Sequence, residues 1–167
     1  IGAGAWGTAL SIAARRAGND VTIWAFEPEL VDTVNRDHEN PLYLAGTALD
    51  PDIRATDDLA EAAAADAVLL AAPAQHLRRT IAPLAGHLSP ATPLVVCAKG
   101  IEQQTLALMS EAVGALFPEN PVLILSGPTF AAEVATEAAG GRGEGGGGGR
   151  GVRDGETRDA CRGGGWR

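Results

Sequence analysis

Three glycines open the chain in the spacing G-x-G-x-x-G, at Gly2, Gly4 and Gly7, and the run IGAGAWGTAL continues straight into helix-forming residues. Alone the pattern is weak. Between a strand end at Ile1 and a helix start it carries a mechanism. Gly2 permits a tight turn. Gly4, without a side chain, lets a pyrophosphate approach the backbone, and Gly7 lets the helix pack close to the strand. The free amides and positive dipole end of the following helix can then hold phosphate.

Two further stretches carry chemistry. Lys99, the one lysine of the sequence, sits in CAKGIE directly after an apolar run. An ammonium there can hold a substrate anion or polarise a carbonyl oxygen. Ser126-Gly127-Pro128-Thr129 leads from the last apolar run into a helix, a second helix start suited to an anion. His38, His76 and His87 have no cysteine or carboxylate partner at metal-ligand spacing. Neither a P-loop nor a nucleophile elbow is present.

Such groups need elements to position them. The pattern predicts a helix over 6–17 stopped by Gly18, a strand VTIWA (21–25) and a helix from Pro28 through Asp37. A loop over 38–52 follows, then a short strand IRAT, and a helix capped by Asp57 in DDLAEAAAA. Strand AVLLA (67–71) precedes a helix from Pro73 to about Leu88. Strand PLVVCA (93–98), a helix around 104–116, strand PVLIL (121–125) and a helix TFAAEVATE (129–137) complete the order. Short β-branched runs alternating with helices mean a parallel sheet covered on both faces. The fold class is α/β, a Rossmann-type doubly wound sheet. Its ligands bind beyond the carboxyl ends of the strands, where the glycine turn, Lys99 and the Gly127 turn converge.

Ribose selectivity is set just after the second strand, roughly 20 residues past the glycines. Glu27 can accept a hydrogen bond from a ribose 2′-hydroxyl, and no arginine follows immediately to hold a 2′-phosphate. The local chemistry leans to NAD over NADP. Phe26 either stacks on the adenine or plugs the sheet edge.

The formal net charge is −8, unevenly spread. Residues 1–139 carry seven basic and seventeen acidic side chains, which argues against a nucleic-acid partner. No apolar run is long enough to span a membrane. Cys97 lies in an apolar run and reads as a reduced core residue, in keeping with a cytoplasmic protein. Two regions follow: a dinucleotide-binding domain over 1–138, and a tail over 139–167 that holds thirteen of the 22 glycines and six arginines. With almost no aliphatic residues the tail cannot offset its ordering entropy, and disorder is expected there. Its abrupt onset resembles a shifted reading frame, and a start at Ile1 suggests a fragment.

GAGAWGTAL, NPLYLAG, CAKGIE and LSGPTFAAEVA, in this order and spacing, resemble the N-terminal domain of the NAD(P)-dependent glycerol-3-phosphate dehydrogenase family over residues 1 to about 138. The resemblance implies reversible hydride transfer between NAD(P)H and dihydroxyacetone phosphate, giving sn-glycerol 3-phosphate for glycerophospholipid synthesis, and a homodimer in full-length members. It implies cofactor contacts from Ala5 and Trp6 in the glycine turn and from Ala131, with Tyr43 a further one. Phe26 falls on the adenosine side, where NAD-preferring eukaryotic members have an aromatic and bacterial members often His or Arg. Lys99 touches cofactor and substrate, and Gly127 and Thr129 lie on the substrate side. The expected cofactor set is therefore Gly2, Gly4, Ala5, Trp6, Gly7, Phe26, Glu27, Tyr43, Lys99 and Ala131; the substrate set is Lys99, Gly127 and Thr129. No catalytic residue is assigned, because the family's general acid/base lysine lies in a second, helical domain that matches nothing here. A non-catalytic dinucleotide-binding module and another Rossmann hydroxyacid dehydrogenase are the alternative readings.

Losing a general acid costs roughly 10²–10⁴ in rate, and losing the substrate clamp costs more. Purified protein given NADH and dihydroxyacetone phosphate is expected to show little or no NADH oxidation. Turnover near the roughly 10 s⁻¹ of ordinary enzymes would refute this.

Overall fold

The computed structural model describes residues 1–127 and 130–137. Thr129, and the Gly/Arg segment with its expected boundary, lie outside the described residues. The elements are α1 (Ala5–Arg16), β1 (Thr22–Trp24), α2 (Pro28–Asp37), β2 (Arg54–Thr56), α3 (Leu59–Ala63), β3 (Val68–Leu70), α4 (Ala74–Ile81), β4 (Leu94–Val96), α5 (Met109–Leu116), β5 (Val122–Ile124) and α6 (Ala131–Glu137). Strands and helices alternate, and every strand pair is parallel.

The strands form two groups, β1 with β2 and β3-β4-β5. Ile1 and Gly2 join them. The Ile1 amine donates to the Leu69 carbonyl at 2.7 Å. The Ala71 amide donates to the Ile1 carbonyl at 2.9 Å, and the Gly2 amide to the Trp24 carbonyl at 3.1 Å. The order across the molecule is thus β2, β1, residues 1–2, β3, β4, β5. It reverses direction at Ile1–Gly2, the kind of switch point beside which open α/β sheets bind ligands.

Two aliphatic cores follow from this division. One packs Val68, Leu70, Leu94 and Val96 against Leu77, Ile81, Val113 and Phe117. The other packs Ile23, Ala25 and Ala55 against Ile12, Leu30, Val34 and Ile53. Each large aliphatic side chain buried in this way is worth about 1.5–3 kcal/mol. Cys97 is a free, buried thiol, and burial pushes its pKa up.

The strands are shorter than expected and α6 starts at Ala131 rather than at 129; three further element boundaries differ for identifiable reasons. The N-cap of α3 is Asp58, whose carboxylate accepts from the Ala60 and Glu61 amides, not Asp57. Helix α4 stops at Ile81 rather than near Leu88, because Pro83 sits in the next turn, which is 3₁₀ over Ala82–Leu84. Helix α5 starts at Met109 rather than near 104. Residues 101–108 form instead a loop closed by an antiparallel bridge between Ile101 and Leu108. The Glu111 carboxylate accepts from the Leu108 amide at 2.8 Å and sets the helix start there.

At Gly7 an added Cβ would lie 1.8 Å from the Gly2 carbonyl oxygen, a backbone atom that cannot swing aside. Gly7→Ala must push α1 off residues 1–2. We expect a loss of about 3 kcal/mol or more, read as a lower midpoint in chemical denaturation. A loss under ~0.5 kcal/mol would contradict this packing.

Candidate functional site

The glycine turn separates into two packing glycines and one that packing does not explain. Gly2 has φ +109°, and a Cβ there would come within 2.7 Å of the Ala72 nitrogen, so no other residue fits. Gly7 is closed by the contact described above. Gly4 has an ordinary extended conformation, φ −64° and ψ 175°, and a Cβ there would meet nothing within 4 Å. The space beside Gly4 is open. Gly4 is also the N-cap of α1, and no side chain caps this helix or places an acid in its first turn. The first-turn amides of Ala5, Trp6 and Gly7 thus have no intrahelical acceptor, and the helix dipole gives this end partial positive charge.

Ala5 and Trp6 form one wall of a cavity of about 320 Å³, which Pro73, Lys99, Phe130 and Ala131 also line. Lys99 follows the carboxyl end of β4. Its Nζ donates to the Gly127 carbonyl at 3.0 Å and stands 5.8 Å from the centre of the Trp6 ring, within cation–π range. The indole Nε1–H of Trp6 is buried with no acceptor among the described residues. A buried donor without a partner costs about 1–3 kcal/mol.

The loop behind Lys99 is held from α4. Gln75 Nε2 donates to the Ile101 carbonyl at 2.8 Å, and Gln75 Oε1 accepts from the Gln103 amide at 3.0 Å. Arg78 makes a two-pronged pair with Glu102, at 2.7 and 3.1 Å. The Arg78 hydrogen bond, with one from Thr105, holds the Glu102 carboxyl below the usual carboxylate range.

A second group stands after β1, whose Trp24 carbonyl receives the Gly2 amide. The Phe26 ring is 77% exposed and meets Trp24 edge-on, with centroids 6.3 Å apart. The Tyr43 hydroxyl donates to Glu27 Oε1 at 2.8 Å. That hydrogen bond, with burial and the nearby charge, raises the Tyr43 pKa above its ordinary value.

The expected residues therefore gather in two groups around one helix end: Ala5, Trp6, Lys99, Gly127 and Ala131 on one side, Phe26, Glu27 and Tyr43 on the other. Thr129 lies outside the described residues. Sequence reasoning missed Phe130, 73% exposed at the cavity wall, although an aromatic between a turn and a helix start is a visible signal. It also missed Pro73, read only as the point where a strand run ends and a helix begins, and the α4 clamp, whose partners are far apart in the chain. Among the described residues no cluster of three or more His, Cys, Asp or Glu side chains could hold a metal, and no helix is long and apolar enough to cross a membrane.

Residues 1–141 match the NAD-dependent glycerol-3-phosphate dehydrogenase N-terminus family. The chain is 58% identical over 135 residues to a glycerol-3-phosphate dehydrogenase [NAD(P)+] of Paramagnetospirillum magneticum, covering 81% of this chain and 49% of that protein. It is 53% identical over 135 residues to the enzyme of that name from Parvibaculum lavamentivorans, covering 81% and 40%. The chain thus spans half or less of the length of these relatives. The crystal structure of glycerol-3-phosphate dehydrogenase from Coxiella burnetii superposes with a TM-score of 0.75 at 28% identity, over 81% of this chain and 42% of that one. The yeast glycerol-3-phosphate dehydrogenase gives 0.73 at 30% identity, over 82% and 43%. With a parallel sheet wound on both sides of the Gly2 turn and a match running through it to Lys99 and beyond, the chain belongs to the NAD-dependent glycerol-3-phosphate dehydrogenase N-terminus family.

Proposed function

We propose that this chain supplies the cofactor half of a dehydrogenase that moves hydride between NAD(P)H and dihydroxyacetone phosphate, giving sn-glycerol 3-phosphate in the cytoplasm. The observation that carries the reading is the open space at Gly4, set at an uncapped helix end beside the chain's one ammonium. The fit to a dinucleotide rests on three features: the bare Gly4 backbone, the unsatisfied first-turn amides and the unpartnered Trp6 N–H.

When bound, the nicotinamide cofactor supplies the hydride. The rest of the work falls to the chain. The amides of Ala5, Trp6 and Gly7 hold the pyrophosphate by hydrogen bonds and dipole, worth about 0.3–1 kcal/mol for the dipole alone. Trp6 and Ala131 wall the cavity and exclude water. Lys99, anchored on the Gly127 carbonyl, presents its remaining N–H bonds to a carbonyl or phosphoryl oxygen, where a fixed cation stabilises developing negative charge. Glu27 accepts from a ribose hydroxyl, and Phe26 offers a ring face to the adenine. Gly127 and Thr129 belong to the substrate side, and a phosphorylated triose is the partner that this cation suits.

Isothermal titration separates these roles. Gly4→Ala adds a methyl group to empty space, so the thermal midpoint should move by no more than about 1 °C while NADH affinity falls tenfold or more. Retained affinity would remove the pyrophosphate from this turn. Lys99→Met should weaken NADH binding about 10-fold or more, the range of one charge-assisted hydrogen bond. Unchanged binding would place the ammonium outside the site.

A further inference from the structure

Asn40 is 1% exposed, and its amide is fully engaged. Nδ2 donates to the Ala3 carbonyl at 2.8 Å and to Thr8 Oγ1 at 2.7 Å. Oδ1 accepts from the Tyr43 amide at 3.0 Å. One buried side chain thus ties the glycine turn, through Ala3, to the backbone of Tyr43. Tyr43 then reaches across the end of β1 to Glu27 Oε1. Glu27 is the N-cap of α2, the position at which a carboxylate ordinarily accepts from its own helix, yet it makes no side-chain cap bond. The carboxylate is turned to the tyrosine instead, with Oε1 engaged.

We infer that Tyr43, seated by Asn40, is a positioning residue that fixes the Glu27 carboxylate to accept a ribose 2′-hydroxyl and to repel a 2′-phosphate, so that the site selects NAD(H) over NADP(H). This rests on the dinucleotide reading above. The chemistry has two parts. A carboxylate is an acceptor only, so the ribose hydroxyl is a partner and a phosphate is not. A carboxylate free to rotate can swing away from a phosphate; one held by a phenol hydroxyl must stay and oppose it, since like charges at close range repel. Positioning converts an ordinary acidic side chain into a discriminator.

The test is a double-mutant cycle on the purified chain, with NADH and NADPH titrated separately and the thermal midpoint recorded for each variant. The parent protein should bind NADH at least tenfold more tightly than NADPH. Glu27→Gln should bring the two affinities to within about threefold by improving NADPH binding. Tyr43→Phe, at a position 41% exposed, should fold normally and lower the NADH:NADPH ratio about three- to tenfold. In Glu27→Gln the added Tyr43→Phe change should do nothing more to the ratio, because the group it positions has lost its charge. A merely structural tyrosine would weaken both cofactors equally and leave the ratio alone, and that result overturns the inference. So does a parent that binds NADPH as tightly as NADH, while the dinucleotide reading survives. Failure of both cofactors to bind overturns that reading, and the selectivity with it.

Discussion

The approach of α1 to the first two residues is the constraint on which the remaining structure depends. At Gly7 the helix lies so close to Gly2 that a methyl group would fall inside the carbonyl oxygen. That proximity aims the first-turn amides past the strand end and into the space beside Gly4. It also seats Ile1 and Gly2 between β1 and β3, the only place among the described residues where the ladder passes from one half-sheet to the other. Site and sheet are thus consequences of one contact.

The electrostatics of the site are local. The body carries a large excess of carboxylates, yet those near the surface are screened over roughly 10 Å at ordinary salt. A few also face arginines: Arg15 meets Asp20, Asp50 and Asp52, and Arg78 meets Glu102. What an anionic ligand meets at the end of α1 is a set of unpaired amides and the Lys99 ammonium. The cation is braced on one side by the Gly127 carbonyl and on another by the Trp6 ring. A flexible lysine would lose rotamer entropy on binding; this one has surrendered part of it already.

Much of this was legible in the residues. Alternating β-branched runs and helices specify the doubly wound sheet, since a strand buried on both faces must be apolar throughout. The glycine spacing located the helix end, and the position of Lys99 after β4 placed it on the same rim. The misses have local causes. Asp57 and Asp58 are equally good caps by type, and only the chain path decides between them. Pro83 was passed over because the apolar pattern continues through it. The 101–108 loop contains good helix formers, but the Ile101–Leu108 bridge and the Arg78–Glu102 pair outweigh propensity. The Asn40 network was invisible, because it joins residues remote in sequence through a side chain whose burial no periodicity announces.

The meeting of Trp6 and Lys99 has a consequence for how a bound ligand would act. Helix α1 precedes β1 and Lys99 follows β4, while Trp24 of β1 and Ala62 and Ala63 of α3 pack into the β3–β5 core and tie the halves together. Trp6, on α1, and Lys99, beyond β4, meet where the two cores adjoin. A ligand held by both would act as a splint, coupling the breathing of one half to that of the other.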